Sequence, residues 1–261
     1  TSIADAGARA IEAVATDPSL YNVSGPAAPP RLRQALTPPG RVALFFLDLP
    51  WVRQGQNTAA PFIAAYADPW PGAVAVMRSA SGDNYALDAT LTKPCSFGVT
   101  TQDFWSGPVG HWDRVNVLQV KLAHGALLSA TENAVLGGAN ALALQNEDGG
   151  WEVLQFVAAE LTGPGEYALT QLRRGRSGSE GQMRRPVAAG ARVVVLDGAL
   201  AQLPLTRAEA RLPFQYRWGP VSRPLTDLSW QETARAFEAT ALVPLAPCLL
   251  RARLQRCCDL L

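Results

Sequence analysis

The chain has 261 residues, 48% of them hydrophobic and only 17% charged, with a formal net charge of +1. That length can bury a sizeable core, and the near-neutral balance excludes a protein drawn to nucleic acid or anionic membrane by its overall field. No signal peptide is visible, and no apolar run approaches the roughly 20 residues of a membrane-spanning helix.

In chain order, residues 2–16 read as a short helix. Ser2 to Asp5 resembles a capping box, and Ala8, Ala10, Ile11 and Val14 give an apolar stripe. Pro18, Pro26, Pro29, Pro30, Pro38 and Pro39 then rule out a regular ladder, since proline has no amide hydrogen to donate. Residues 1–40 are therefore expected to be a helix and a Pro-rich linker.

From Arg41 the pattern becomes that of short strands. Val42 to Leu47 and Ala73 to Met77 are apolar runs, and Tyr85 to Leu87 leaves a Ser-Gly-Asp-Asn turn. Gly98 to Thr100 follows, then Val115 to Val120, which alternates as a half-exposed strand should. Asn140 to Leu144 and Trp151 to Phe156 flank Asn146-Glu147-Asp148-Gly149-Gly150, which is hairpin-turn chemistry. Gly163-Pro164-Gly165 turns the chain into Tyr167 to Leu172, and Arg192 to Leu196 closes the set. Such spacing, without β-α-β alternation, predicts an all-β, antiparallel barrel or sandwich over 41–205. Residues 206–261 are expected to form a small C-terminal β segment leading to a further domain. Phe214 to Trp218 alternates. Residues 230–242 have helical propensity in their alanines; the family resemblance given below implies an extended strand there instead. The chain opens on Thr1 and stops at Leu261 as an apolar run begins, which predicts an excised piece of a longer polypeptide.

The four cysteines, Cys95, Cys248, Cys257 and Cys258, lack a C-x-x-C spacing, and adjacent cysteines do not readily bridge. They are expected to be small apolar residues in a reducing compartment. His111 and His124 have no metal-ligand spacing. His111 lies beside Asp113 but without a nucleophile motif such as G-x-S-x-G. The carboxylate pairs Asp83/Asp88 and Glu147/Asp148 sit at predicted turns, which favours turn-forming roles over glycosidase chemistry. No catalytic, metal or cofactor residue is assigned, and no cofactor is expected.

Two sets of residues remain as interface candidates. Arg174, Arg176, Arg184 and Arg185, with Arg173 beside them, form the one basic cluster, suited to an acidic neighbour or to phosphates. Gly175 and Gly178 within it lack the helix start and Lys-Ser/Thr of a phosphate-binding loop, so turn geometry accounts for them. Of the seven tryptophans, Trp70 and Trp105 lie in Pro- or Gly-flanked loops and are expected to be exposed.

Motifs across residues 40–250 resemble one family. Gly150-Trp151-Glu152-Val153-Leu154-Gln155-Phe156, then Tyr167-Ala168-Leu169-Thr170-Gln171-Leu172-Arg173-Arg174-Gly175-Arg176-Ser177-Gly178-Ser179-Glu180, are similar to "W-E-x-x-Q-F … Y-x-L-x-x-L-L-R-G-R-x-G-T-E" of long tail-tip proteins from siphophages and gene transfer agents. Leu47-Asp48-Leu49-Pro50, Pro71-Gly72 with Arg78-Ser79, Asn133 to Asn140, and Arg217-Trp218-Gly219-Pro220 resemble further elements of that family in order. So does Leu242-Val243-Pro244-Leu245-Ala246-Pro247. Arg173, Ser177 and Ser179 depart from the family pattern. The resemblance implies a baseplate-hub module of a host-specificity protein. It implies a homotrimer below the tail tube, in contact with other tail proteins (hub, distal tail protein, tail tube) and transiently with delivered DNA. Host cell surface contact would fall to other domains of the full-length chain. It further implies assembly in the bacterial cytoplasm, a place at the particle tail tip, and no catalysis by this segment. A carbohydrate-binding module using exposed tryptophans is the alternative, and a cell-wall hydrolase ranks third.

Overall fold

A computed structural model describes residues 40–50, 52 and 54–242. The expected N-terminal helix and nearly all of the Pro-rich linker lie outside the described residues, as do Trp51, the prolines at 244 and 247, and Cys248, Cys257 and Cys258.

The strands are β1 (Ala43–Leu47), β2 (Phe62–Tyr66), β3 (Val74–Ser79), β4 (Ala86–Leu91), β5 (Phe97–Thr100), β6 (Trp112–Asp113), β7 (Leu118–His124), β8 (Ala141–Gln145), β9 (Trp151–Gly163), β10 (Glu166–Arg173), β11 (Arg192–Val195), β12 (Ala201–Gln202), β13 (Phe214–Pro220) and β14 (Gln231–Arg235). One short helix, α1 (Glu132–Leu136), falls between β7 and β8, with the Thr131 side chain accepting from the Ala134 amide. The all-β expectation holds, and residues 231–235 are a strand.

Six strands close an antiparallel barrel in the order β10-β7-β5-β11-β8-β9, with β9 returning to β10; β6 pairs with Leu172 and Arg173 of β10, on the edge that β7 takes at residues 166–169. Alternation along each strand sorts side chains to the two faces. Leu142 and Leu144 of β8, Leu154 and Phe156 of β9, and Val193 of β11 fill the bore together with Leu118, Val120 and Leu122 of β7. Their neighbours Ala143, Trp151, Val153 and Val194 point outward, yet they are buried too.

What covers them is a second layer, the sheet β1-β2-β12. Phe45 and Leu47 of β1, with Phe62 and Ala64 of β2, pack on the barrel wall. The alternate residues, Leu44, Phe46, Ile63 and Ala65, face the opposite way into a core shared with Val74, Val76, Tyr216 and Trp218. Those last residues belong to a third layer, the sheet β14-β13-β3-β4. A strand covered on both faces reads as a continuous apolar run rather than an alternating one. That is why Phe62-Ile63-Ala64-Ala65-Tyr66 carries no period-2 signal and is absent from the strands that the sequence predicts.

The boundary expected at residue 205 does not separate the sheets. β13 pairs with β3 over Gln215↔Ser79 to Pro220↔Val74, and with β14 on its other side. The C-terminal strands thus complete a sheet begun by residues 74–91. The physical reason is the shared core: Tyr216 and Trp218 are buried only because Val74, Val76 and Phe46 meet them.

Candidate functional site

The Trp-Glu-Val-Leu-Gln-Phe run on β9 and the basic run after β10 meet at one mouth of the barrel. Glu152 shares the inward face of β9 with Leu154 and Phe156, and is 1% exposed. Arg174 lies just past the end of β10 and is also 1% exposed. Its Nε donates to Glu152 Oε1 at 2.7 Å and its Nη2 to Glu152 Oε2 at 2.8 Å, a bidentate fork. Its Nη1 donates to the Trp105 carbonyl at 2.8 Å, and Asp113 Oδ2 stands 3.7 Å away. The guanidinium lies 4.0 Å above the Phe104 ring centroid. Asp113 in turn accepts from the amides of Val115 and Asn116 and from the Asn116 side chain. Glu152, Arg174 and Phe104 therefore form a satisfied polar plug over the leucine-filled bore.

Arg174 is accordingly not a surface interface residue. Alternation from Leu169 would turn Arg173 inward and leave Arg174 in water. Gln171 adopts φ 53°, a left-handed conformation rare for a side-chain-bearing residue, and the inward face passes from Leu169 to Leu172. Arg174 follows Leu172 inward. Arg173 is left half-buried, 5.5 Å over the Trp112 ring.

The turn that follows is held just as closely. Gly175 sits at φ 56° and donates its amide to Glu152 Oε1 at 3.2 Å. A Cβ there would press on Glu180, so glycine is required by conformation and by space. Arg176 donates from Nε to Gln155 Oε1 at 3.0 Å, while the Gln155 amide donates to the carbonyls of Val135 and Ala139. The Ser179 hydroxyl accepts from the Val153 amide at 2.8 Å. The 3-10 segment Arg176–Gln182 thus covers the part of β9 that β10 has left unpaired. Burial and repulsion from Arg173 lower the pKa of Arg176. The family-like motif is a buried clamp.

The other expected interface residues separate. Arg184 binds Asp148 and the Gly181 carbonyl, and Arg185 is exposed. Trp105 is 57% exposed. Trp70 is half-buried against the core between the two outer sheets, because Pro69 and Pro71 lay its ring on that core rather than into solvent.

Each carboxylate pair is split by its surroundings. Asp148 is engaged by Arg184, and Glu147 accepts from the Ala188 amide. Asp83 is exposed, but Asp88 is not in an open turn as expected. It lies in β4 with a side chain 7% exposed, bound by Arg78 at 3.2 Å, and Arg78 also holds Glu209. Burial raises the Asp88 pKa above its ordinary 3.8, opposed by Arg78 and reinforced by Glu209. The folded state thus holds this proton more tightly than the unfolded chain. Its contribution to stability is complete below 3.8 and is lost as pH rises through the raised value. Asp88→Asn is expected to flatten that decline, so that its stability relative to the parent improves with pH across this window; urea unfolding at a series of pH values measures it.

Cys95 is buried and free, and burial pushes its thiol up to about 12, which suits a packing role. His111 and His124 are both exposed, and His124 lies 5.4 Å from the Tyr66 ring. Among the described residues no group of three or more His, Cys, Asp or Glu is placed to hold a metal ion.

Fold and clamp together define a closed, filled, six-stranded barrel braced by two outer sheets. A family model described as Rcc01698-like, C-terminal, a name associated with gene transfer agents, matches residues 95–194, less than half of the chain. The match begins two residues before β5 and ends within β11, so it spans the six barrel strands and the clamp. No curated protein matches the chain.

Proposed function

We propose that this chain is a structural module of a gene transfer agent tail tip. It acts within the hub below the tail tube, as a homotrimer in contact with neighbouring tail proteins, and helps couple host attachment to DNA delivery. It works by assembly and carries no catalysis of its own. The observation that carries this reading is the coincidence of the family match at 95–194 with the barrel and its clamp. Large apolar side chains left in solvent support it: Val115 at 88%, Leu128 at 77% and Leu228 at 101% exposure are what a module covered by neighbours would present. The glycan-binding alternative keeps one observation, the exposed ring of Trp105.

The test is an epitope inserted after Gly82, in an exposed turn, followed by gold labelling of purified particles. The expected result is label at the distal end of the tail, and loss of DNA transfer when the chain is deleted. Label on the capsid, or normal transfer without the chain, overturns the proposal. Glycan-array binding abolished by Trp105→Ala would instead establish the alternative.

A further inference from the structure

β1 is an edge strand. It pairs with β2 from Ala43↔Tyr66 to Leu47↔Phe62, and its other edge forms no backbone hydrogen bond with any described residue. An open apolar edge such as Ala-Leu-Phe-Phe-Leu is a template for another strand, which proteins ordinarily guard with charge, proline or a covering loop. Here it lies in a cleft of about 510 Å3. One wall is the barrel rim, at Gly149 to Trp151 and Arg192, and the other is the segment from Arg235 to Thr240.

The charges in this cleft are uneven in their commitments. Asp148 is held by Arg184 and Glu238 by Arg211, both partners coming from outside the cleft. Asp48 accepts from the Thr240 amide. Arg192 makes one long contact of 3.4 Å to Gln145, and neither Arg192 nor Arg235 forms an ion pair with a described residue. Among the described residues, the cations of the cleft without a carboxylate partner are thus two guanidinium groups on opposite walls, with a strand edge between them, while its one carboxylate without a cation, Asp48, is turned to the Thr240 amide.

We infer that this cleft binds an extended acidic peptide segment of another protein chain, which adds to β1 as a further strand and sets its carboxylates against Arg192 and Arg235. Main-chain hydrogen bonds would supply affinity and the side chains selectivity, as in other strand-addition complexes. The five residues of β1 offer about 17 Å of edge at 3.3–3.4 Å per residue. A phosphate polymer fits less well: a strand edge presents carbonyl oxygens as often as amides, and those oxygens repel phosphate. The inference stands apart from the tail-tip reading, since it uses only the cleft.

The test is fluorescence anisotropy with the full chain and a labelled octapeptide of alternating Glu and Val. The comparisons are a Lys–Val peptide and a Glu–Val peptide N-methylated at alternate residues. The Glu–Val peptide should bind, the N-methylated one should not, and Arg192→Glu with Arg235→Glu should weaken binding at least about tenfold. Both arginines are exposed, so an unchanged thermal midpoint will show that this variant folds. Absence of Glu–Val binding overturns the inference. So does equal binding of the Lys–Val peptide, indifference to N-methylation, or equal competition by a single-stranded oligonucleotide.

Discussion

Arg174→Met is expected to lower folding stability by about 3–5 kcal/mol, the range for stripping one partner from a buried ion pair. The loss is large because of what remains. Glu152, 1% exposed, would keep only the Gly175 amide as a strong donor, and the Trp105 carbonyl would lose its partner. Glu152→Leu alone should cost a similar amount by the converse argument. The double variant Glu152→Leu with Arg174→Met should cost distinctly less than the sum, since no charge then lies buried alone. Arg174→Lys should not rescue, because an ammonium cannot make the two parallel contacts that the fork makes. Urea unfolding of the four proteins closes the cycle. A loss under about 1 kcal/mol for either single variant would mean that the plug opens to water in solution.

Phe62→Ala carries the second large effect, about 3–5 kcal/mol, typical of an aromatic ring deleted from a packed core. Phe62 is 2% exposed and stands in the middle strand of the middle layer, facing the barrel wall. The cavity would open between barrel and sheet, where Trp151, Val153 and Val194 lose their cover. Loss of near-ultraviolet signal from both layers in one transition is expected. Two separated transitions would show that the barrel and its bracing sheets fold independently.

These two sites mark where the sequence was readable and where it was not. β9 and β10 stand out because a Gly-rich turn separates them and each carries large apolar residues at close spacing. β1 was recognisable from five apolar residues before Pro50. β2 was hidden, since Phe-Ile-Ala-Ala-Tyr has neither alternation nor strong strand formers at its centre; its state is imposed by two cores pressing on it from opposite sides. The burial of Arg174 is hidden for a different reason. A single left-handed residue, Gln171, inverts the register, and nothing in Leu-Thr-Gln-Leu announces that inversion. A usable signal did exist on the other strand: Glu152 sits among Trp151, Val153 and Leu154, where a carboxylate needs a buried cation to be tolerated. Arg174 is the cation that answers it.

The plug has a mechanical corollary. With leucine and phenylalanine side chains filling the bore, and Arg174 and Glu152 locked across one mouth, this cylinder is a rivet and not a pipe. No chain can thread it, so whatever meets this body meets it from outside, at loops and sheet edges, where substitution leaves the packing within untouched.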